Sequence, residues 1–145
     1  MKYLILTLLI SSNLSAEVTN DSTVERALKT AANANNVPYR LLKAICKVES
    51  NLNPKALNPD DYGSPSYGLC QIKETTARLV HYRGPIRGLF NPYINANISA
   101  RYLHKHLTKC NNDWVRAASA YNAGTCHRVI RNTKYVHKVM SKLEL

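Results

Sequence analysis

Apolar residues recur along most of this chain at intervals of three and four, the period of helices buried on one side. Ser22-Thr23-Val24-Glu25 has the form of a capping box and opens a first helix through Ala27, Leu28, Ala31 and Ala32, ending near Asn35. Pro38 suits the first turn of a second helix, where its missing N–H has no partner to lose, and Val37, Leu41, Leu42, Ile45 and Val48 mark the apolar stripe. Glu49 falls beside that stripe in the last turn, and Asn53-Pro54 is expected to stop the helix. Residues 58–65, rich in Pro, Gly, Asp and Ser, read as a long loop, with a short strand or hairpin between 62 and 72. Helical patterns then return over residues 74–82, over a longer stretch carrying Ile94, Ile98, Leu103 and Leu107, and over 133–142 with Tyr135, Val136, Val139 and Met140. Between the last two, Asn112 is expected to cap a short helix over 113–122 that turns Trp114, Ala117, Ala118 and Tyr121 inward and stops at Gly124. The pattern predicts a mainly α domain with a small β or loop region, and it contains no internal repeat.

The first residues change the picture of where the chain works. Lys2, the apolar run from Leu4 to Ile10, and Leu14-Ser15-Ala16 make a secretory signal over 1–16, leaving 17–145 as one domain. The run is far shorter than the roughly 20 residues of a membrane span, and no later segment is apolar enough, so stable membrane insertion is not expected. With 20 Lys and Arg against 9 Asp and Glu, the net charge of +11 favours a polyanionic partner. Nucleic acid is disfavoured, because the basic residues are scattered and no recognition helix or aromatic RNA-binding motif is visible. Cell-wall polymer or a membrane surface is the better match for an exported chain, and a solvated basic face without a specific partner is the plain alternative.

An even set of cysteines in an exported chain predicts disulfides. Cys46 and Cys70 flank the Glu49 region and are the preferred pair. Cys110 and Cys126 flank a helix of about ten residues, roughly 15 Å long, which separates them beyond disulfide reach unless the chain after Gly124 folds back along it. A zinc site from those two with His104, His106 and His127 matches no familiar ligand spacing, so no metal or other cofactor is expected.

A lone glutamate on an apolar helix is the arrangement that keeps a carboxylic acid protonated near neutral pH, because desolvation penalises its charged form. Such an acid can protonate a leaving oxygen. Glu49-Ser50, Gly68-Leu69-Cys70-Gln71 and Ala120-Tyr121-Asn122-Ala123-Gly124, in that order, resemble the three motifs of the family 1 lytic transglycosylases, which have a goose-type lysozyme-like fold and cleave peptidoglycan. The resemblance runs from about Pro38 to Val139, and Tyr135 matches the family's late tyrosine, which borders the glutamate. It implies Glu49 as the catalytic acid with Ser50 beside it, and Tyr121 and Tyr135 as residues that orient the acid. It further implies Gln71 and Asn122 as contacts to sugar amides, and Ser64 or Ser66 as a contact to the N-acetyl group. Cys70 departs from the family's usual methionine, which removes a flexible apolar contact from the sugar groove.

What the resemblance implies for partners is peptidoglycan glycan strands met by a monomer. The compact size is similar to that of specialised members serving an assembly that crosses the cell envelope, in secretion, conjugation or pilus building, and to phage or predator enzymes. A second catalytic carboxylate is hard to find: only Asp60 and Asp61 lie in the loop after Glu49. With neither engaged, the expectation is a transglycosylase forming a 1,6-anhydro end. With one of them positioning water, it is a lysozyme-like hydrolase. A non-enzymatic basic wall-binding protein is the remaining alternative.

Overall fold

A computed structural model describes residues 22–143, so the expected signal segment 1–16 lies outside the described residues. The first helix, α1 (Thr23–Ala34), starts as the capping pattern predicts, with Ser22 Oγ accepting from the Glu25 N–H at 3.2 Å. The Glu25 carboxylate reaches Lys43 at 3.1 Å and so ties α1 to α2 (Tyr39–Ser50). Pro38 stands just before α2, at its N-cap, rather than inside the first turn. The helix also stops earlier than Asn53-Pro54. Asn51 enters the left-handed region at φ 57° and returns its N–H to the Lys47 carbonyl, a closure that asparagine tolerates better than most residues.

The segment expected to be mostly loop is a three-stranded antiparallel sheet of β1 (Leu57–Asp61), β2 (Ser64–Tyr67) and β3 (Ile72–Lys73), in that spatial order. Leu57 pairs with Tyr67 and Asp61 with Ser64, with an irregularity between Asn58 and Asp61. Helix α3 (Glu74–Leu79) is shorter than the 74–82 pattern, because His81 turns into positive φ. A 3-10 turn (Ile86–Phe90) leads to the long α4 (Pro92–Lys109), capped by Asn91, whose side chain accepts from the Tyr93 and Ile94 N–H groups. Helices α5 (Trp114–Ala123) and α6 (Thr133–Ser141) complete the described residues. The cap of α5 is Asp113, not Asn112: its carboxylate accepts from Arg116 N at 3.0 Å while Asn111 and Asn112 both take positive φ. Trp114, expected inward, is 36% exposed at the first turn, and Ala117, Ala118 and Tyr121 are buried as expected.

Helix α4 is the spine, packing against α1 on one side and α5 on another, while α6 lies against both α2 and α5. Leu28, Leu41, Leu42, Ile45, Ile98 and Leu103 fill the space between them. The expected mainly helical architecture is therefore present, with the three-stranded sheet set beside the end of α2. Among the described residues no helix is long and apolar enough to cross a membrane.

Both cysteine pairs are bridged. Cys46–Cys70 joins α2 to the segment after β2 with Cα atoms 4.2 Å apart. Cys110–Cys126, judged out of reach on helix length alone, is also formed, at 5.8 Å. The chain does double back along α5 after Gly124: Arg116 donates to the His127 carbonyl, and Ser119 exchanges hydrogen bonds with the Arg131 backbone. This bridge uses up both cysteines of the considered zinc set.

Candidate active site

Two elements meet where the last turn of α2 faces the sheet. Gly68 allows the approach: its φ is +73°, and a Cβ there would lie 2.3 Å from the Leu89 carbonyl and 2.6 Å from the Asn95 amide. Asn95, wholly buried on α4, donates to the Tyr67 and Leu89 carbonyls at 2.8 and 2.7 Å and accepts from Cys70 N at 2.9 Å. One amide thus fixes the backbone on both sides of Gly68, and the Cys46–Cys70 bridge fixes it to α2. Ser50 adds a third tie, its hydroxyl donating to the Leu69 carbonyl and accepting from Asn53 N.

The result is an open cleft of about 400 Å³ whose lining includes Glu49, Asp61, Gln71, Tyr102, Tyr121 and Asn122. Burial raises the Glu49 carboxyl from its ordinary 4.5 to about 7; the hydrogen bond from Tyr135 pulls it down and the charge of Asp61 adds to the rise. Tyr135 Oη donates to Glu49 Oε1 at 2.7 Å, across the contact between α6 and α2. Near neutral pH the group is therefore divided between a form that can donate a proton and one that can accept it. Burial also raises the Tyr121 and Tyr135 phenols, and the nearby Glu49 charge adds to both, so each stays a neutral O–H.

The sequence-predicted residues divide by position. Glu49, Gln71, Tyr121 and Asn122 line the cleft, and Tyr135 is bonded to the acid. Tyr121 spends its hydroxyl on other partners, sharing a 2.8 Å hydrogen bond with Ser99 and donating to the Cys70 carbonyl at 3.4 Å. The Gln71 amide is held by its surroundings, accepting from Ser66 Oγ at 2.8 Å and donating to the Gly68 carbonyl at 3.1 Å. Asn122 Oδ1 accepts from Asn132 at 2.9 Å. Ser50, Ser64 and Ser66 do not line the cleft: Ser50 is bonded to backbone, Ser66 is buried against Gln71, and Ser64 pairs with Asp61 in the sheet. Of the two aspartates, Asp61 reaches the cleft and carries a Lys73 ammonium at 3.6 Å, while Asp60 turns its carboxylate to Gly63 N.

Several lining residues were not singled out from sequence. Tyr102 falls four residues after Ile98, so the α4 stripe predicts its burial, yet nothing in the stripe says that it lines a cleft. Lys73 and Thr76 follow the Gln71 motif closely enough that proximity alone was their signal. Asn95, a polar residue one position from Ile94 on an apolar face, was legible only as an anomaly.

The model of the family described as Transglycosylase SLT domain matches residues 26–143. The chain is 33% identical over 92 residues to Protein IpgF of Shigella flexneri, covering 62% of this chain and 60% of that one. It is also 33% identical over 97 residues to the peptidoglycan transglycosylase gp16 of Escherichia phage T7, covering 65% of this chain and 7% of that one. Among solved structures, an inactive mutant of lytic transglycosylase Slt from Pseudomonas aeruginosa superposes with a TM-score of 0.69 at 22% identity, covering 81% of this chain and 23% of that one. The 70 kDa soluble lytic transglycosylase of Escherichia coli gives 0.60 at 24% identity, covering 81% and 19%. The match to IpgF thus spans about three fifths of that relative's length. Because the family model takes in both the Glu49 helix and the Tyr135 helix, and most of the chain between and beyond them, the chain belongs to the transglycosylase SLT domain family.

Proposed function

We propose that the protein cleaves the β-1,4 bond between N-acetylmuramic acid and N-acetylglucosamine in peptidoglycan strands without consuming water, leaving a 1,6-anhydro end. The observation that carries this reading is Glu49: a carboxyl raised to about 7, bonded to a neutral phenol, at the wall of an open cleft. Protonated Glu49 gives its proton to the glycosidic oxygen as the C1–O bond breaks. The substrate's N-acetyl carbonyl shields C1 from the opposite side. The muramic C6 hydroxyl then attacks C1, and its proton returns to Glu49, so one group serves as acid and then base. The C6 hydroxyl is already held near C1 and competes with bulk water through its high effective molarity.

Gln71 and Asn122 are the proposed contacts to sugar amides, and Tyr135 orients the acid. Tyr121 is assigned an indirect role, bracing the Cys70 carbonyl beside Gln71. Ser50, Ser64 and Ser66 are assigned supporting roles, Ser66 through Gln71. Paired cysteines, the expected signal segment and a wall-polymer substrate all fit work outside the cytoplasm. The likeness to a phage peptidoglycan transglycosylase supports the glycan-cleaving reading, and the proposed setting is local wall opening for an assembly that crosses the cell envelope.

One observation keeps a second reading alive. Asp61 faces the same cleft as Glu49 and would be the residue to position water in a hydrolase, a role for which Asp60 is turned away. Mass analysis of muropeptides released from purified sacculi separates the two. The expected products are one water lighter than hydrolysis products and lack a reducible end, and they persist in an Asp60→Asn, Asp61→Asn double variant. Mostly reducing products that vanish in the double variant would replace the transglycosylase reading with the hydrolase.

A further inference from the structure

The turn between β1 and β2 has two residues, Tyr62 and Gly63, both at positive φ, 50° and 83°. Positive φ at both central positions is the requirement of a type I′ hairpin turn, which Asn-Gly or Asp-Gly meets with least strain. Tyrosine is a poor occupant, since a bulky side chain crowds the backbone in the left-handed region. Burial does not compensate, because Tyr62 is 95% exposed.

Two features give this strained ring a use. It lines the same cleft as Glu49 and Asn122. The Lys73 ammonium sits over the ring at 5.9 Å and is itself held by the Asp61 carboxylate and carbonyl, so a fixed cation stands near one face while the ring stays open to solvent. An outlier kept at a cleft, against the local preference of the turn, points to function rather than to folding.

We propose that Tyr62 is a sugar-stacking platform: its open face takes the apolar C–H face of a pyranose ring of the glycan and forms a subsite at the mouth of the cleft. This rests on the glycan-cleaving reading above. A pyranose turns its hydroxyls outward around an apolar face, so it can cover an aromatic ring while its polar rim stays in water. A contact made away from the breaking bond holds substrate and transition state alike, and therefore acts on KM rather than on kcat.

The test compares Tyr62→Asn, Tyr62→Phe and the parent chain. Tyr62→Asn creates the favoured Asn-Gly turn, so the melting temperature should rise by a few degrees. The same variant should raise KM for glycan strands about tenfold, the low end of what a nucleic-acid base loses with its aromatic platform, with kcat and product unchanged. Tyr62→Phe should keep the parent KM. A Tyr62→Asn enzyme with KM within about twofold of the parent would overturn the proposal. So would an equal rise in Tyr62→Phe, which would assign the contact to the hydroxyl. Titration with a tetramer of N-acetylglucosamine, followed through the Tyr62 ring protons, reads the subsite without turnover. An inactive parent that still binds the tetramer through Tyr62 sinks the cleavage reading alone, and unweakened tetramer binding by Tyr62→Asn, measured by calorimetry because the ring is gone, sinks the subsite alone.

Discussion

On the helical side of the cleft Glu49 is half-buried at the end of α2, has a phenol for its partner, and is held by a helix that a disulfide and the Glu25–Lys43 pair tie to its neighbours. On the sheet side Asp61 ends an exposed strand, has an ammonium for its partner, and is followed by a strained two-residue turn. The same functional group is thus given opposite company on the two walls. Desolvation lets the Glu49 carboxyl keep its proton near neutral pH although a phenol donates to it, whereas Asp61 stands in an ion pair at an exposed strand end. The helical wall is where a proton can be stored, and the sheet wall is where the proposed Tyr62 contact would hold the polymer. Exchanging the properties of one wall for those of the other should therefore produce unequal losses.

The largest loss is expected from Glu49→Gln, which keeps the shape of the side chain and removes the transferable proton. General acid–base catalysis is worth about 10²–10⁴-fold, and a single group serving both steps puts the expected loss at the upper end. Sacculus turbidity should stay constant while the circular dichroism spectrum is unchanged. The same variant reports on the folding cost of the buried acid. Because the folded-state value, about 7, lies above the ordinary 4.5, the wild-type contribution is fully present below pH 4.5 and is lost as pH rises through 7. Glu49→Gln should accordingly be the more stable chain at pH 8–9, by at most about 3 kcal/mol, and should lose that advantage toward pH 4. Denaturant titrations at the two pH values measure the difference. Equal stability of the two chains at high pH would mean that burial does not raise the acid.

The helical wall was legible in the sequence because its signals are local. Ser22 caps α1, the apolar stripe of α2 carries Glu49 at its edge, and Gly124 closes α5 at φ 85°, all within a turn or two of the residues that predict them. The sheet was harder to read because β1 does not alternate: four of its five residues are exposed, so pairing with β2 rather than a buried face makes it a strand. Whether Asp60 or Asp61 faces the cleft depends on which side of that strand each occupies, and a polar strand does not advertise its sides. Asn95 bonds groups 25 and 28 residues away in the chain, and Cys110 meets Cys126 only through the return of the chain along α5. Long-range closure of this kind leaves no periodic trace.

The next effect in size concerns the link between the walls. Replacing both Cys46 and Cys70 by alanine removes the bridge from the turn of α2 before Glu49 to the residue before Gln71. The sequence separation is 24, for which chain entropy gives roughly 3 kcal/mol of stability, read as a lower denaturation midpoint. A separate consequence distinguishes this bridge from a mere staple. The Cys70 carbonyl accepts from Tyr121 and its N–H is held by Asn95, so a loosened segment should also reduce kcat under conditions where the variant is fully folded. Unchanged kcat would confine the bridge to stability and detach the Gln71 segment from the positioning of the acid.

The smallest effect tests the partner that makes the helical wall different. Tyr135 donates to Glu49 Oε1, which favours the charged carboxylate and holds the acid lower than burial alone would. Tyr135→Phe keeps the ring packed between α2 and α6 and deletes only the hydroxyl. The acid should then lose its proton at higher pH, and the alkaline limb of the rate profile, which follows loss of the donating form above about 7, should move upward. The maximal rate should fall by no more than about tenfold, since one hydrogen bond orients the carboxyl and does not take part in the proton transfer. Asp61→Asn should move the same limb the other way, because the Asp61 charge helps to raise Glu49. Opposite shifts from the two variants would establish that each wall tunes the same acid from its own side. No shift in either variant would mean that burial alone sets Glu49, and shifts in the same direction would mean that the phenol and the charged neighbour do not oppose each other.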